Sequence, residues 1–336
     1  MKHLFGPVRS RRLGRSLGID LLSDKICPFD CLYCEVGPTV QRTCRRDEYT
    51  PTADILSEID SFLAGKGVAA VDVFTVTAQG EPTLHTGLGR VLRRLRRHGG
   101  RPVVVLTNGA LLHNPAVRLD LACADIVVPS LDAARRESFL RLNRPGPDVD
   151  LAAMIEGLCT LFVEHPGEVW LEILLAVGVN DSDEDIAALA TVLRRLAPSE
   201  RHRVQLNTVT RPSRTAAVRP LSPERLQEIA SRLQEDCAVP VEVLATAPVA
   251  AATMACNAAA ANLALSSYSP WENQAERIVQ MVRRRPCTAE ELAAALGLPE
   301  QDVTVRDLLH RLVVSGRLSR QRQGAAEFYL PGTCVS

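Results

Sequence analysis

Residues 27–34 read Cys27-Pro-Phe-Asp-Cys31-Leu-Tyr-Cys34, with three cysteines spaced C-x3-C-x2-C. Three thiolates this close together can bind three irons of a [4Fe–4S] cluster and leave the fourth iron without a protein ligand. A purely structural cluster normally has four cysteine ligands, so the open iron indicates a cluster that binds a further molecule. A zinc knuckle is the alternative, with Cys44 as a fourth ligand ten residues further on.

Around this stretch, strand-like and helix-like segments alternate from Gly18 to about Pro240, which is typical of a parallel sheet built from βα units. Short aliphatic or β-branched runs predict six buried strands: Leu17–Leu22, Val71–Thr77, Pro102–Thr107, Asp125–Ser130, Trp170–Val177 and Val204–Val209. Helical patterns follow them at Thr52–Leu63, Leu88–His98, Pro115–Ala122, Leu151–Val163, Asp183–Leu196 and Pro223–Gln234. Six such units are too few for a closed eight-stranded barrel.

The composition is that of an ordinary globular protein, with 46% hydrophobic and 23% charged residues in a chain of 336. Lys+Arg and Asp+Glu number 39 each, so the net charge indicates neither nucleic acid nor a membrane as partner. The first residues lack the apolar core of a signal peptide, and the ten cysteines are scattered. We therefore expect a cytoplasmic protein with no membrane partner. The apolar segment 243–265 is interrupted by Pro248 and asparagines, which favours burial against protein over a bilayer span.

The pattern predicts three parts, namely the sheet at 1–240, an Ala-rich linker or covering segment at 241–271, and a compact unit at 272–331. The last part shows helices at Glu272–Arg284, Thr288–Leu296 and Glu300–Gly316, followed by a hairpin at Arg317–Leu330. Three helices and a hairpin resemble a winged helix-turn-helix. Acidic residues offset its arginines, so the pattern fits docking of a protein or substrate as well as binding of nucleic acid.

Polar residues follow several of the predicted strands. In Gln79-Gly80-Glu81, after the second strand, the glycine allows close approach of a ligand and the carboxylate can accept a hydrogen bond from an ammonium group. Asn108, Ser130 and Asp132 follow the third and fourth strands. Because ligands bind at the carboxyl ends of parallel strands, these side chains predict one polar cofactor site.

The cysteine triplet, with Tyr33 before its last cysteine, resembles the radical S-adenosylmethionine (SAM) superfamily. In that family the amino and carboxylate groups of SAM bind the open iron, and an electron from the cluster cleaves SAM into methionine and a 5′-deoxyadenosyl radical. The resemblance implies an α/β fold, an open (β/α)6 partial TIM barrel. It also implies a [4Fe–4S] cluster and SAM as cofactors, and a flavodoxin- or ferredoxin-like one-electron donor.

The resemblance also assigns roles to residues, beginning with Cys27, Cys31 and Cys34 as cluster ligands. Gln79-Gly80-Glu81 looks like the Gly-Gly-Glu motif that contacts the SAM amino group, although Gln79 replaces the first glycine. Ser130 stands where the family contacts the ribose, and Glu172 and Val177 lie in the segment that packs against the adenine. The residues expected around the cofactor are Tyr33, Gln79, Gly80, Glu81, Asn108, Ser130, Asp132, Glu172, Val177 and Asn207.

Further stretches, among them "FGPVRSRRLGRSLGID" and "SLDAARRESFLRLNRP", resemble radical SAM proteins related to wybutosine-synthesising tRNA-modifying enzymes. This resemblance implies hydrogen abstraction from a tRNA base, with a peptide or a small metabolite as alternative substrates. Asn143, Arg144 and Cys256 are the candidate substrate contacts. A metal- or iron–sulfur-sensing DNA-binding regulator is a more distant alternative, since a sensor does not need the polar residues after the strands.

Overall fold

The computed structural model describes residues 2–10, 12–213, 218–244, 270–298 and 303–332. Its larger part is an α/β fold, as predicted, with a mostly parallel sheet. The strands of this part are β1 (Leu4–Ser10), β2 (Gly14–Asp20), β3 (Ile26–Cys27), β4 (Gln41–Arg42), β5 (Val73–Thr77), β6 (Val103–Thr107), β7 (Ile126–Pro129), β8 (Glu168–Leu175), β9 (His202–Thr208) and β10 (Val241–Val243). Eight of them form the central sheet in the order β1-β2-β5-β6-β7-β8-β9-β10, and β3 pairs with β4 separately.

Seven helices cover the outer face of this sheet within the described residues. They are α1 (Thr52–Ala64), α2 (Leu88–His98), α3 (Pro115–Leu121), α4 (Arg136–Leu142), α5 (Leu151–Glu164), α6 (Asp183–Leu193) and α7 (Pro223–Asp236). Helix α2 buries Leu88, Val91, Leu92 and Leu95, which is the i, i+3, i+4, i+7 stripe of an amphipathic helix. Ser222 caps α7 by accepting a hydrogen bond from the Arg225 amide, with proline in the first turn. Local sequence therefore fixes where these helices begin and which side they bury.

The predicted strand count needs correction. All six predicted strands are present, but β10 is a seventh parallel strand that pairs with β9, and β1 adds an antiparallel strand beside β2. Strand β1 was missed because Gly6 and Pro7 interrupt its apolar pattern, and β10 because it has three residues. Helix α4 was also missed, since seven residues with two arginines give a weak helical period. The sheet remains open, because β1 and β10 lie at its two edges.

The inner face of the sheet is apolar at its centre and charged around it. Val104, Val128 and Trp170 belong to an inner apolar cluster that is separate from the core under the helices. The β1–β2 turn carries Arg12 inward, where its guanidinium lies 2.8 Å from the Glu172 carboxylate and 2.8 Å from the Gln205 side-chain oxygen. A charge in this partly enclosed space is compensated by direct pairing, as burial requires.

The C-terminal unit has its own apolar core. Its elements are α8 (Pro270–Arg284), α9 (Ala289–Leu296), α10 (Val303–Val314), β11 (Leu318–Gln323) and β12 (Ala326–Pro331). Helix α9 begins with a capping box between Thr288 and Glu291 and ends at Gly297, whose φ of 73° suits a residue without a side chain. The predicted sequence of three helices and a hairpin is therefore present. Most of the predicted linker and Cys256 lie outside the described residues.

Two arginines fix the C-terminal unit to the sheet. Arg284 of α8 lies 3.2 Å from the buried Asp20 carboxylate at the end of β2 and stacks over the Phe5 ring of β1 at 4.8 Å. Arg211, three residues after β9, pairs with Glu291 of α9. Burial alone would raise the pKa of Glu291, but the Arg211 hydrogen bonds lower it to about 2. The unit thus contacts β1 at one edge of the sheet and the segment after β9 near the other.

Within the described ranges, no helix combines the length and the apolarity needed to cross a bilayer.

We predict that Arg284→Gln weakens the attachment of the C-terminal unit, because it leaves Asp20 buried without its charged partner. Removing one partner of a buried pair typically costs about 3–5 kcal/mol. Urea unfolding and limited proteolysis should show a lower midpoint and faster release of the C-terminal unit. Arg283→Gln, at the exposed neighbouring position, is the control. Equal stability of the two variants would contradict the attachment described here.

A second prediction concerns His165, between α5 and β8, which is 4% exposed and has no hydrogen-bond partner for either ring nitrogen in the described structure. Burial, then the neighbouring His202, lowers the pKa of His165 from 6.5 to about 4. The unfolded chain therefore binds more protons between these values, and stability should fall as the pH drops from about 6.5 towards 4. The loss is on the order of 3 kcal/mol.

Urea unfolding across this pH range should show a flatter profile for His165→Leu than for the wild type. His113→Leu changes an exposed histidine and serves as the control. If His165→Leu keeps the wild-type pH profile, the buried imidazole is not the source of the acid sensitivity.

Candidate active site

The three cysteines lie on one loop, residues 26–34, which we call the cysteine loop. Backbone hydrogen bonds join it to the end of α4, with the Asp30 amide donating to the Asn143 carbonyl (3.1 Å) and the Leu32 amide to the Leu142 carbonyl (2.9 Å). The Phe29 ring packs edge-on against Phe139 of α4, with the ring centroids 5.6 Å apart. Helix α4, which was not predicted from the sequence, therefore supports the cysteine loop through these backbone hydrogen bonds and this ring contact.

The cysteine sulfurs receive hydrogen bonds from side chains and backbone. The Asn108 side-chain amide donates to Cys27 Sγ at 3.3 Å, and the Phe29 amide donates to the same sulfur at 3.4 Å. The Asn143 side-chain amide donates to Cys31 Sγ at 3.5 Å. Such N–H donors stabilise negative charge on sulfur and tune the potential of iron–sulfur clusters. The surroundings of the triplet therefore suit thiolate ligands.

Burial raises the pKa of Cys27 to about 12, and the nearby charge of Glu81 adds to the shift. Burial also raises the pKa of Cys31, with further contributions from Cys27 and Cys34. Without a cation, burial and the neighbouring cysteines disfavour ionisation of Cys27 and Cys31, and binding to iron would reverse this preference. The donor set therefore fits a cluster in which three irons have cysteine ligands.

The zinc alternative required Cys44 to join the triplet. Burial raises the pKa of Cys44, and the charge that acts on it is that of Asp148 rather than that of the three cysteines. In the part of the chain that the structure describes, no group of three or more His, Cys, Asp or Glu side chains is arranged to hold a single metal ion. The geometry gives this alternative no support.

Asp132 connects the cysteine loop to the sheet. Its Oδ2 accepts hydrogen bonds from the Tyr33 hydroxyl (2.6 Å) and the Asn143 side-chain amide (2.8 Å), and its Oδ1 accepts from the Leu174 amide (3.0 Å). Burial raises the pKa of Asp132, although these donors oppose the shift, and burial likewise raises that of Tyr33. Asp132 is 3% exposed and Asn143 is 2% exposed. Asn143 therefore supports the cysteine loop through its side-chain amide, and its contact with substrate stays a prediction.

Glu81 has a comparable role on the other side of the loop. Its Oε1 accepts hydrogen bonds from Thr83 and from the Thr107 hydroxyl (2.6 Å), while Oε2 accepts from the Asn108 amide (2.7 Å). The side chain is buried, and burial raises its pKa. The carboxylate thus joins the ends of β5 and β6, and it holds Asn108 where that residue reaches Cys27.

At Gly80 the turn after β5 lies in close contact with the cysteine loop. A Cβ at this position would lie 1.7 Å from the Ile26 carbonyl oxygen, which accepts a hydrogen bond from the Glu81 amide at 3.0 Å. Only glycine fits this contact. The neighbouring Gln79 donates its side-chain amide to the Ser23 carbonyl at 3.3 Å, so the residue that replaces the family's first glycine also contacts the segment leading into the loop.

The remaining predicted residues lie towards β8 and β9. The Asn207 side-chain amide donates to Glu172 at 3.0 Å, and Ser130 forms a β-bridge with Glu172. A cavity of about 200 Å³ opens here, lined by Tyr33, Cys34, Glu172, Asn207 and Arg211 among others. Val177 is half-buried just beyond β8, and Arg144 is exposed beside the cysteine loop. The structure therefore brings Tyr33, Glu172 and Asn207 together around one opening beside Cys34.

Three functional residues were missed from the sequence. Arg12 pairs with Glu172, Arg211 lies 3.8 Å from Glu35 next to the last cysteine, and Asn180 donates to the Asp132 carbonyl at 2.7 Å. Asn180 lies in the turn Gly178-Val179-Asn180-Asp181 after β8, whose sequence predicts a turn but no contact with Asp132. Arg12 and Arg211 gave no signal of their own, because arginines are frequent throughout this chain.

Comparison with known proteins agrees with this geometry. The family model described as Radical SAM superfamily matches residues 24–190, from just before the cysteine loop into α6. A UPF0026 protein of Helicobacter pylori (strain J99 / ATCC 700824) is 31% identical over 328 residues, which cover 97% of this chain and 96% of that protein. The chain belongs to the radical SAM superfamily, as a UPF0026 protein. Its cofactors are accordingly a [4Fe–4S] cluster and SAM.

Other relatives match in part. A protein named GTPase Obg from Brachyspira hyodysenteriae (strain ATCC 49526 / WA1) is 29% identical over 95% of this chain, which spans only 44% of that relative. A probable GTP 3',8-cyclase of Saccharolobus islandicus (strain Y.N.15.51 / Yellowstone #2) is 30% identical over 59% of this chain and 60% of its own.

Among solved structures, that of a radical SAM methyltransferase from Sphaerobacter thermophilus gives a TM-score of 0.52 at 19% identity. It covers 68% of this chain and 65% of that one. At this identity the similarity shows the radical SAM fold alone.

We predict that Gly80→Ala lowers the cluster content, because the added methyl group must displace the cysteine loop or the turn after β5. Iron and sulfide bound per chain after anaerobic reconstitution, together with the visible absorbance of the cluster, measure this effect. Gly65→Ala is the matched control, since a Cβ there meets the Phe62 carbonyl oxygen at an ordinary 3.4 Å. Full cluster content in Gly80→Ala would refute the close approach.

Proposed function

We propose that this protein is a radical SAM enzyme that abstracts a hydrogen atom from a nucleobase, with a base in tRNA as the first candidate. The observation that carries the chemistry is the cysteine loop, in which three cysteines lie together at the carboxyl ends of the strands and N–H groups donate to the sulfurs of Cys27 and Cys31. The three cysteines would hold three irons of a cluster and leave the fourth for SAM, and a cavity opens at Cys34. A peptide or a small metabolite is the alternative substrate.

When bound, the cofactors supply an electron that cleaves SAM to methionine and a 5′-deoxyadenosyl radical. The chain's own residues hold and orient the reactants and exclude water. Asn108 and Asn143 donate to the sulfurs, while Glu81 and Asp132, both almost fully buried, keep these two amides in place. Since both carboxylates are used inside the protein, they act as positioning groups rather than as proton donors to a substrate.

The SAM contacts belong to this proposal. The backbone at Gly80 would receive the amino group, Ser130 and Asn207 would bind the ribose, and Val177 would pack against the adenine. Glu172 is held by Arg12 and Asn207, so its carboxylate has a fixed direction at the cavity. Pre-organised polar groups of this kind bind a cofactor without reorganisation.

The choice of a nucleobase has two supports. One is the resemblance to wybutosine-related proteins, and the other is the relative named for cyclisation of GTP, whose substrate by name is a guanine nucleotide. We further propose that the C-terminal unit is a winged helix that docks this substrate. It exposes Arg306, His310 and Arg322 on α10 and β11, whereas Arg311 is paired with Asp307. This docking and a cytoplasmic location are parts of the same proposal.

The test is anaerobic reconstitution with iron and sulfide, reduction with dithionite, addition of SAM, and measurement of 5′-deoxyadenosine. Deoxyadenosine should form with the wild type and fall to background in Cys31→Ala. Pools of tRNA, GTP, peptides and small metabolites are then added, and the tRNA pool should raise the yield and acquire a mass change. Stimulation by peptides or metabolites alone would replace the tRNA assignment.

The rival function is a DNA-binding metal sensor. It predicts DNA binding that depends on the bound metal, with no SAM cleavage. Zinc in place of iron and sulfide, together with an absence of deoxyadenosine, would overturn the enzyme proposal and favour this rival.

A further inference from the structure

Two exposed arginines lie beside the cysteine loop, and neither lines the cavity. Arg42 lies in β4 and is the register partner of Cys27 in the β3–β4 pair. The Arg144 carbonyl accepts a hydrogen bond from the Asp30 amide at 3.3 Å, within the same loop. A Cβ at Gly146 would lie 3.5 Å from Arg42 Cδ, so the Arg42 side chain passes two residues from Arg144. We call Arg42 and Arg144 the arginine pair.

The arginine pair carries uncompensated charge. Both side chains are exposed, and neither forms an ion pair or a side-chain hydrogen bond within the described residues. The neighbouring Arg45, in contrast, is paired with Asp47 at 2.9 Å. The nearest acidic residue in sequence to Arg144 is Asp148, which is also exposed. Two guanidinium groups therefore remain available to an acidic partner.

Arg144 is held in an unusual conformation. Its φ is 45°, and it is the one non-glycine residue with positive φ in the described part of the chain. A left-handed conformation costs an arginine on the order of 1–3 kcal/mol, and such strain persists where the surrounding structure enforces it. Here the hydrogen bonds of Asp30 and Pro28 to the segment 143–146 enforce it. The Arg144 backbone is thus held beside the cysteine loop at some cost in stability, with its side chain exposed.

We propose that the arginine pair is the docking site for an acidic one-electron donor of the flavodoxin or ferredoxin type. This inference rests on the proposed function, which requires such a donor. Adjacent strands are about 4.8 Å apart, so the Arg42 backbone is one strand away from that of the Cys27 ligand, and a donor held by the Arg42 side chain would lie on the same side of the protein as the cysteine loop. Complementary charge would steer the donor to this face.

The electron balance is simple. One electron leaves the donor's reduced flavin or iron–sulfur group and enters the oxidised cluster, which becomes one electron more reduced. No bond forms between the two proteins, and any proton released by a flavin passes to solvent. The donor is then reduced again by its own reductase.

The position of the arginine pair favours a donor over the substrate. The cavity is lined by Tyr33 and Cys34, at the other end of the cysteine loop, and by Arg211 after β9, and neither Arg42 nor Arg144 lines it. A donor at the pair and a substrate at the cavity can therefore bind together. A nucleic acid would normally be held by more phosphate contacts than two arginines provide.

The test compares two reductants. In Arg42→Glu and Arg144→Asn, alone and combined, 5′-deoxyadenosine formation is driven either by recombinant flavodoxin with its NADPH-dependent reductase or by dithionite. Asparagine tolerates the left-handed backbone at 144, so that variant removes the charge alone. The flavodoxin-driven rate of the double variant should fall about tenfold or more at low salt. The dithionite-driven rate should not change.

Arg97→Glu is the matched control for charge reversal, because Arg97 on α2 is exposed and has no ion pair with any residue that the structure describes. A second readout, binding of oxidised flavodoxin to the reconstituted protein by titration at two salt concentrations, needs no SAM cleavage. Binding should weaken about tenfold in the double variant and with added salt, but not in Arg97→Glu.

Each other outcome overturns the inference in a different way. An equal loss with both reductants would give the pair a structural role. If dithionite-driven turnover falls only when substrate is present, the arginine pair is a substrate contact. Unchanged flavodoxin binding and rate would place the donor elsewhere. Failure of the wild type to cleave SAM with dithionite concerns the proposed function alone, and flavodoxin titration still decides the docking site.

Discussion

The buried carboxylate of Asp132 is the interaction on which the site depends. It receives hydrogen bonds from the cysteine loop through Tyr33, from the end of α4 through Asn143, and from β8 through the Leu174 amide. A carboxylate this buried is stable only while its oxygens have donors, so the three segments must be in place together. The loop that carries the cluster ligands is consequently positioned by the sheet itself, although most of its own residues have no regular secondary structure.

Glu81 is a second buried carboxylate that joins separate segments, on the other side of the cysteine loop. Its oxygens are satisfied by the ends of β5 and β6, and through Asn108 the network reaches Cys27. The two carboxylates hold the two asparagines that donate to the cysteine sulfurs. Removing either acid would therefore leave buried donors unpaired beside the cluster ligands. The loss would lower the free energy of unfolding and would also disturb the positions of the cysteines.

Sequence reasoning found the parallel sheet, the cysteine triplet and the three-helix unit because each leaves a local signal. Hydrophobic runs mark buried strands, and cysteine spacing marks cluster ligands. It missed contacts between separate segments, such as the hydrogen bonds from the Asn143 side-chain amide to Asp132 and Cys31, because no local pattern encodes them. Strand β10 and helix α4 were missed because short elements depend on tertiary packing more than on propensity.

The contacts that attach the C-terminal unit join residues far apart along the chain. Arg284 binds Asp20 across 264 positions and the Lys2 carbonyl across 282. Contacts of such high sequence separation carry the largest loop-closure cost, so they form after the local βα units. During synthesis the sheet and the cysteine loop emerge before α8 and α9. The contacts of Arg284 with Asp20 and of Glu291 with Arg211 therefore join a C-terminal unit to a sheet in which the cysteine loop already has its partners.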